Sequence, residues 1–305
     1  MKKSTIRLLL LLVTIIWGSG YVVNDVLLES LSAFQLLTAR FGLTFIMLLF
    51  VFHAKIKTIN KVTFKKGLIL GALLYAAFAF QTVGLIYTTP SKNAFLTQIS
   101  VVFVPLLSYL FFKEKAELKT QLGIILSLVG VGFMSLNGFG GINLGDVLSL
   151  VCALFFALQV ILMGEYIKGE EAVSLMIVQM GTAGLLGGVI SLMQGNLYLG
   201  GNIGVDLRLL FLALFGTLFS YGVQTASQRH VGASEISLIL SLESFWGMAF
   251  SMVILKEIVS GREMLGAWLI LAGVMFSQLP SSIKLFKPKR LSDHVSEEAD
   301  IENSL

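Results

Sequence analysis

Charge is scarce in this sequence. Only 13% of its 305 residues are Asp, Glu, Lys or Arg, about half the share of a soluble domain. With 4 prolines and a mean hydropathy of +0.86, that deficit excludes an ordinary water-soluble fold. A single cysteine, Cys152, rules out a disulfide within the chain or a cysteine metal cluster, and its apolar surroundings read as packing. The three histidines, His53, His230 and His294, are dispersed. No HExxH, paired aspartates or Gly-x-Ser-x-Gly accompanies them, so metal and nucleophile chemistry both lack a constellation. No Walker-type glycine loop with lysine is present, which argues against direct ATP use. The sequence therefore implies neither an enzyme nor a cofactor or metal.

What is abundant is hydrophobic sequence, 56% of the chain. Runs of helix length lie at 8–23, 33–52, 67–86, 94–112, 122–136, 147–163, 173–193, 209–223, 236–255 and 264–279. Several fall below the ~20 residues that a bilayer asks for, a shortfall that edge residues or local thinning absorb. The start, Met1-Lys2-Lys3 followed by leucines, mimics a signal peptide. No small-x-small cleavage site follows, and Trp17-Gly18-Ser19-Gly20 continues the run, so it reads as a retained first span.

Basic residues test the count. With the N-terminus in the cytoplasm, the inner side receives Lys2, Lys3, Arg7, the five lysines from Lys55 to Lys66, Lys113, Lys115, Lys119, Lys168, Arg229 and the four basic residues from Lys284 to Arg290. Lys92, Arg208, Lys256 and Arg262 fall outside, and Arg40 lies within a span. The inside bias supports an even number of spans with both termini cytoplasmic. Topology thus accounts for the net charge of +4 better than a nucleic-acid partner does.

The chain also contains itself twice. Shifting 81–133 by 143 positions lays it without a gap onto 224–276. Gln81-Thr82 falls on Gln224-Thr225, Ser91 on Ser234, Lys113-Glu114 on Lys256-Glu257, Gly123 on Gly266 and Gly130 on Gly273. Each copy holds five spans, an odd number, so the second copy crosses the membrane in the opposite sense. The expected architecture is an all-α membrane protein of ten transmembrane helices arranged as two inverted five-helix repeats, 1–140 and 141–280. Residues 281–305 form a cytoplasmic tail, basic and then acidic, that reads as disordered.

Trp17-Gly18-Ser19, Ala39-Arg40-Phe41, Phe112-Lys113-Glu114, Leu242-Glu243 and Leu255-Lys256-Glu257, in this order on two five-span copies, resemble the EamA-type transporters of the drug/metabolite transporter superfamily. The resemblance covers nearly the whole chain to about Leu279 and implies a ten-helix exporter or importer of small metabolites. Where a proline often follows the glutamate of the ninth span, this chain has Ser244, which leaves a helix break at that point open.

Polar residues inside the spans are the candidate site. Glu243 is costly at that depth, roughly 2.5 kcal/mol or more, and must face helices or water. It reads as a proton-linked or substrate-contacting acid, or else as a neutral acid bonded between helices. Its repeat mate is Ser100, which with Asn93 and Thr97 forms an i, i+4, i+7 polar face on the fourth helix. Arg40 could pair with Glu243, bind a substrate carboxylate or snorkel outward, with a structural or gating role favoured. Gln81, Gln224 and Gln159 could contact substrate or satisfy helix ends. Trp17, Tyr21, Tyr75, Tyr221 and Trp246 could form aromatic walls. Gly184 and Gly188, with Gly181 and Gly187, mark a packing seam or a homodimer surface, and Gly123, Gly130, Gly266 and Gly273 mark another seam.

The leading expectation is a secondary transporter in the bacterial cytoplasmic membrane that exports amino acids or related metabolites by alternating access, with a proton or other ion as coupling partner. A carrier of amphipathic cations, drugs or nucleotide-type metabolites is the alternative, ahead of an intramembrane enzyme or a channel.

Overall fold

A computed structural model describes residues 3–113, 118–135, 143–227 and 239–277. The tail, His230, Arg229, Ser234, Glu114 and the start of the ninth run lie outside the described residues. Among the described residues the chain is helical throughout, without a strand. The helices are α1 (Lys3–Leu28), α2 (Ala33–Val51), α3 (Lys61–Leu85), α4 (Pro90–Gln98), α5 (Ser100–Phe112) and α6 (Leu118–Ser135). They continue as α7 (Leu144–Tyr166), α8 (Ala172–Met193), α9 (Ile203–Ser227), α10 (Leu242–Leu255) and α11 (Gly261–Ser277).

Helix starts follow local chemistry, because the first four amides of a helix need acceptors that the backbone does not supply. Ser32 and Gln35 form a reciprocal capping box at α2, and the Asn60 side chain accepts from the amides of Val62 and Thr63 at α3. Thr89 caps α4, with Pro90 in the first turn, where a missing N–H costs nothing. Asn143, Glu171 and Asn202 do the same for α7, α8 and α9.

Among the described residues, seven helices are long and apolar enough to cross a membrane: α1, α2, α3, α6, α7, α8 and α9. The fourth apolar run is divided at Ile99, where the amides of Ile99 and Val102 bond three residues back, to Leu96 and Ile99, tightening the turn. Pro105, six residues further on, removes one more helical bond. The ninth run is described only from Ile239 and turns at Ser241, one residue before α10. A discontinuity therefore precedes Glu243 without the proline. The tenth is the 17-residue α11.

Two lysines end helices in the left-handed conformation, Lys113 (φ 59°) and Lys256 (φ 58°), and they are 143 positions apart. Among the described residues no other non-glycine has positive φ. The match of Lys113 with Lys256 is thus also a match of backbone geometry.

Packing is closest between α6 and α11. A Cβ on Gly130 would sit 2.8 Å from the Gly266 carbonyl oxygen, one on Gly266 would sit 2.8 Å from that of Gly130, and one on Gly273 would sit 2.6 Å from that of Gly123. The anticipated glycine seam is present, and only the lack of side chains lets the backbones approach so far. On α8, Gly181, Gly184 and Gly187 face Phe45, Gly42 and Thr38 of α2, so the expected seam is filled from within the chain. One apolar core joins α1, α2, α3, α8 and α9 around Phe41, Phe78 and Met180. A second joins α4, α5, α6, α7, α10 and α11 around Phe95, Ile99, Ala153 and Ile270. The site lies between them.

Loops also pair. Glu170 accepts from Thr63 Oγ1 and from Lys66 Nζ at 2.9 Å, and Glu171 lies 3.2 Å from Lys55. At other helix ends, Ser91 donates its amide and hydroxyl to Glu257, and Lys92 pairs with Glu263 at 2.9 Å.

Candidate functional site

A cavity of about 160 Å³ opens between the two cores. Trp17, Tyr21 and Asn24 of α1, Arg40 of α2 and Gln81 of α3 line it from one side. Thr97 and Ser100 flank the α4–α5 break, Gln159 comes from α7, Tyr221 and Gln224 from α9, and Glu243 from the first turn of α10. Ten of the thirteen candidates singled out from sequence meet at this one cavity.

Asn93 does not line it. Its amide nitrogen donates to the Gln81 carbonyl at 3.1 Å and to Ser149 Oγ at 2.9 Å, which turns the side chain toward α7. The break at Ile99 interrupts the regular spacing that would have aligned it with Ser100. Tyr75 and Trp246 also stand apart. Tyr75 belongs to the α2–α8 core, and Trp246 sits against α1, its Cβ only 2.4 Å from where a Cβ on Gly18 would be. The Trp-Gly pair at 17 and 18 thus serves two ends: the tryptophan faces the cavity and the glycine admits α10.

At one end of the cavity Tyr21 donates its hydroxyl to Glu243 Oε1 at 3.0 Å, and Gln81 Nε2 donates to the Tyr21 hydroxyl at 3.3 Å and to Thr97 Oγ1 at 3.4 Å. Glu243 is the one acid of the lining among the described residues. Arg40, also in the lining, is 4% exposed. Its Nε donates to Thr217 Oγ1 at 2.8 Å and its Nη2 to the Gly216 carbonyl at 3.4 Å. The guanidinium lies 4.4 Å from the Phe78 ring centre, a cation–π contact that a desolvated site strengthens.

The Gly216 carbonyl is available because residues Leu212–Phe219 form a π-helical stretch within α9, whose wider turn breaks the regular bonding ladder. The same oxygen accepts from Trp17 Nε1 at 2.8 Å, and Trp17 packs on Tyr221 with ring centres 5.5 Å apart. No ion pair joins Arg40 to Glu243 among the described residues, so the pairing considered from sequence is not made. Phe78 and Phe156 complete an aromatic wall.

Sequence reasoning missed Asn24, Gln98, Phe78 and Phe156. Asn24 had a signal, since it stands seven residues after Trp17 and shares its helix face. The phenylalanines had none in a chain with 23 of them. Among the described residues no group of His, Cys, Asp and Glu is placed to hold a metal. The arrangement offers one acid, one cation, several amides and aromatic faces, without a nucleophile–base pair.

Comparison with known proteins agrees with that chemistry. Two segments, 5–136 and 143–279, each match the EamA-like transporter family. An uncharacterized transporter of Archaeoglobus fulgidus is 33% identical over 278 residues, 91% of this chain and 87% of its own length. Probable amino-acid metabolite efflux pumps of Salmonella typhimurium and Escherichia coli are 28% and 27% identical, each over 87% of this chain and 92% of their own. A solved crystal structure with 12% sequence identity superposes with a TM-score of 0.66 over 90% of this chain and 97% of its own, a likeness of fold. The doubled family match, the relatives along nearly the full length and the apolar helices make one case: the chain is a multi-pass membrane protein of the EamA-like transporter family, and it transports a small molecule rather than catalysing a reaction.

Proposed function

We propose that this transporter is a secondary carrier that exports amino acids or closely related metabolites across the cytoplasmic membrane by alternating access. Residues 1–140 and 141–280 act as two inverted five-helix repeats, giving ten spans and cytoplasmic termini. Glu243, Arg40, Ser100, Thr97, Gln81, Gln224, Gln159, Trp17 and Tyr221 form the substrate site, with Asn93 bracing it from behind. The observation that carries this reading is that residues from both repeats converge on one cavity. Repeat-built transporters place their sites in that way, beside discontinuous helices.

Three further features support the architecture. The contacts of α6 with α11 are reciprocal under the 143-residue shift: Gly130 meets Gly266, and their mates Gly273 and Gly123 meet as well. The turns at Ile99 and Ser241 fall at nearly equivalent places. Loops assigned to one side by charge also touch loops of that side, as in Lys66 with Glu170 and Lys92 with Glu263.

Cavity size and charge favour amino acids over the alternatives. Sites for drug-sized ligands run about 300–1,000 Å³, larger than the 160 Å³ here. A bare organic cation would meet Arg40, and a nucleotide-type polyanion would meet Glu243. Thermal stabilisation of the purified protein against a metabolite panel tests the reading. A true substrate at 100 times its Kd adds about 2.7 kcal/mol when only the folded form binds. Stabilisation by neutral amino acids, with saturable counterflow of the same compounds in proteoliposomes, is expected. Stabilisation only by amphipathic cations or nucleotides sinks the amino-acid assignment.

A further inference from the structure

We infer that the cavity holds its ligand as a zwitterion in one orientation: an α-carboxylate at Arg40, the α-ammonium at Glu243 and Asn24, and an apolar side chain against Trp17, Phe78 and Phe156. This rests on the reading of the cavity as the transport site and adds the recognition chemistry.

Four observations carry it. First, the cavity contains one cation and one anion that do not neutralise each other. Arg40 has five N–H donors, of which the bonds to Thr217 and Gly216 use two. Glu243 has two oxygens, and Tyr21 occupies only Oε1.

Second, the two charges are tied to neighbouring turns of α1. Glu243 is tied to Tyr21, and Arg40 shares the Gly216 carbonyl with Trp17. Trp17 and Tyr21 are four residues apart on α1, a rise of about 6 Å. An α-amino acid presents its ammonium and carboxylate on neighbouring carbons, and two charge-assisted bonds of about 2.8 Å extend its reach across a gap of that order. A ligand with widely separated charges would not seat both ends.

Third, Asn24 is a lining residue, 8% exposed, whose Oδ1 is buried and has no hydrogen-bond partner. A buried acceptor without a donor is costly. An ammonium has three donors and no acceptor, so it satisfies Asn24 and Glu243 together, whereas a carboxylate satisfies neither. Asn24 follows Tyr21, the hydrogen-bond partner of the acid, by three residues on the same face of α1. Fourth, beside Arg40 the wall is aromatic, Phe78 with Phe156 and Trp17, a face suited to an apolar side chain. An aliphatic or aromatic neutral amino acid meets all four conditions.

The test is a set of matched probes on the full-length protein in detergent: L-leucine, leucinamide, which lacks the carboxylate, and 4-methylpentanoate, which lacks the ammonium. Binding is read by titration calorimetry. Wild type is expected to bind L-leucine at least about tenfold more tightly than either analogue. Arg40→Gln should abolish the preference over leucinamide while keeping that over 4-methylpentanoate. Glu243→Gln and Asn24→Ala should do the reverse. Arg40→Lys keeps the charge and guards against loss of fold in Arg40→Gln, which size-exclusion profiles report. An analogue that binds wild type as tightly as leucine, or variants that weaken all three probes equally, overturns the orientation while leaving the transport site standing. No binding of any probe, together with no leucine counterflow, overturns both.

Discussion

Arg40 is a charge buried in a membrane protein without a carboxylate against it, and a carbonyl that a regular helix would have used internally helps to hold it. The π-helical stretch in α9 frees the Gly216 oxygen for Arg40 and Trp17, and Thr217 accepts from Arg40 Nε. Thr217→Val should leave a buried charged donor unpaired and lower stability by about 1–3 kcal/mol, read as a fall in melting temperature. Thr217→Ser, which keeps the hydroxyl, should stay near wild type, and an equal loss in both variants would contradict the hydrogen-bond account. Glu243, as the one acid of the cavity lining among the described residues, is the expected proton carrier. Glu243→Gln should abolish the response of transport to an imposed pH gradient in proteoliposomes, with counterflow persisting only at a reduced substrate affinity. An unchanged pH-gradient response in that variant removes the coupling role. Ser100→Ala removes one hydroxyl from the wall and should weaken binding about fivefold or less, the effect of a single neutral hydrogen bond.

At the scale of elements, close approach and loop pairing decide what the helices can do. Gly273→Ala puts a methyl 2.4 Å from Ser127 Oγ and 2.6 Å from the Gly123 carbonyl oxygen. The α6–α11 seam must therefore open, at about 1–3 kcal/mol. Gly222→Ala, with nothing within 4 Å of its Cβ, is the control and should melt as wild type does. If both melt alike, the seam is not tight. Between the α2–α3 and α7–α8 loops, Glu170 is held below the ordinary glutamate value of 4.5 by the Thr63 hydroxyl and then by Lys66. For Glu171, burial pushes the pKa upward, but the Ser174 amide and hydroxyl and Lys55 outweigh it and leave it lowered. A lowered folded pKa gives stability that is complete above the unfolded value and lost as pH falls through the folded one. The share of the melting temperature that these two glutamates supply should thus be level above about pH 5 and fall below it, and Glu170→Gln should make the acid fall shallower. A fall of unchanged steepness in Glu170→Gln would assign the acid sensitivity elsewhere.

For the whole molecule, the proposed topology makes opposite predictions for equivalent loops. In a Cys152→Ala background, Lys256→Cys should react with a membrane-impermeant maleimide on intact cells. Lys113→Cys, its mate in the first repeat, should react only after permeabilisation. Labelling of both from the same side excludes the inverted arrangement.

Much of this molecule was legible in sequence because a bilayer leaves few choices. Every backbone group must be paired within the segment, so apolar runs of sufficient length become helices, and seven of the ten anticipated runs appear as such spans. Glycine spacing marked the seams, and buried polar residues were too costly to be incidental. Ten of the thirteen candidates line the cavity. What one dimension could not supply was the local irregularity that aims side chains. Asn93 turns away to Ser149, the wide turn in α9 gives Arg40 a carbonyl instead of Glu243, and the Asn24 oxygen is buried with its acceptor unmet. Composition, periodicity and repetition are sums over many residues, and sequence alone determined them: membrane residence, helical class and a doubled chain. Which side chains meet depends on rotations of a few tens of degrees at single turns, and only the tertiary structure decided those.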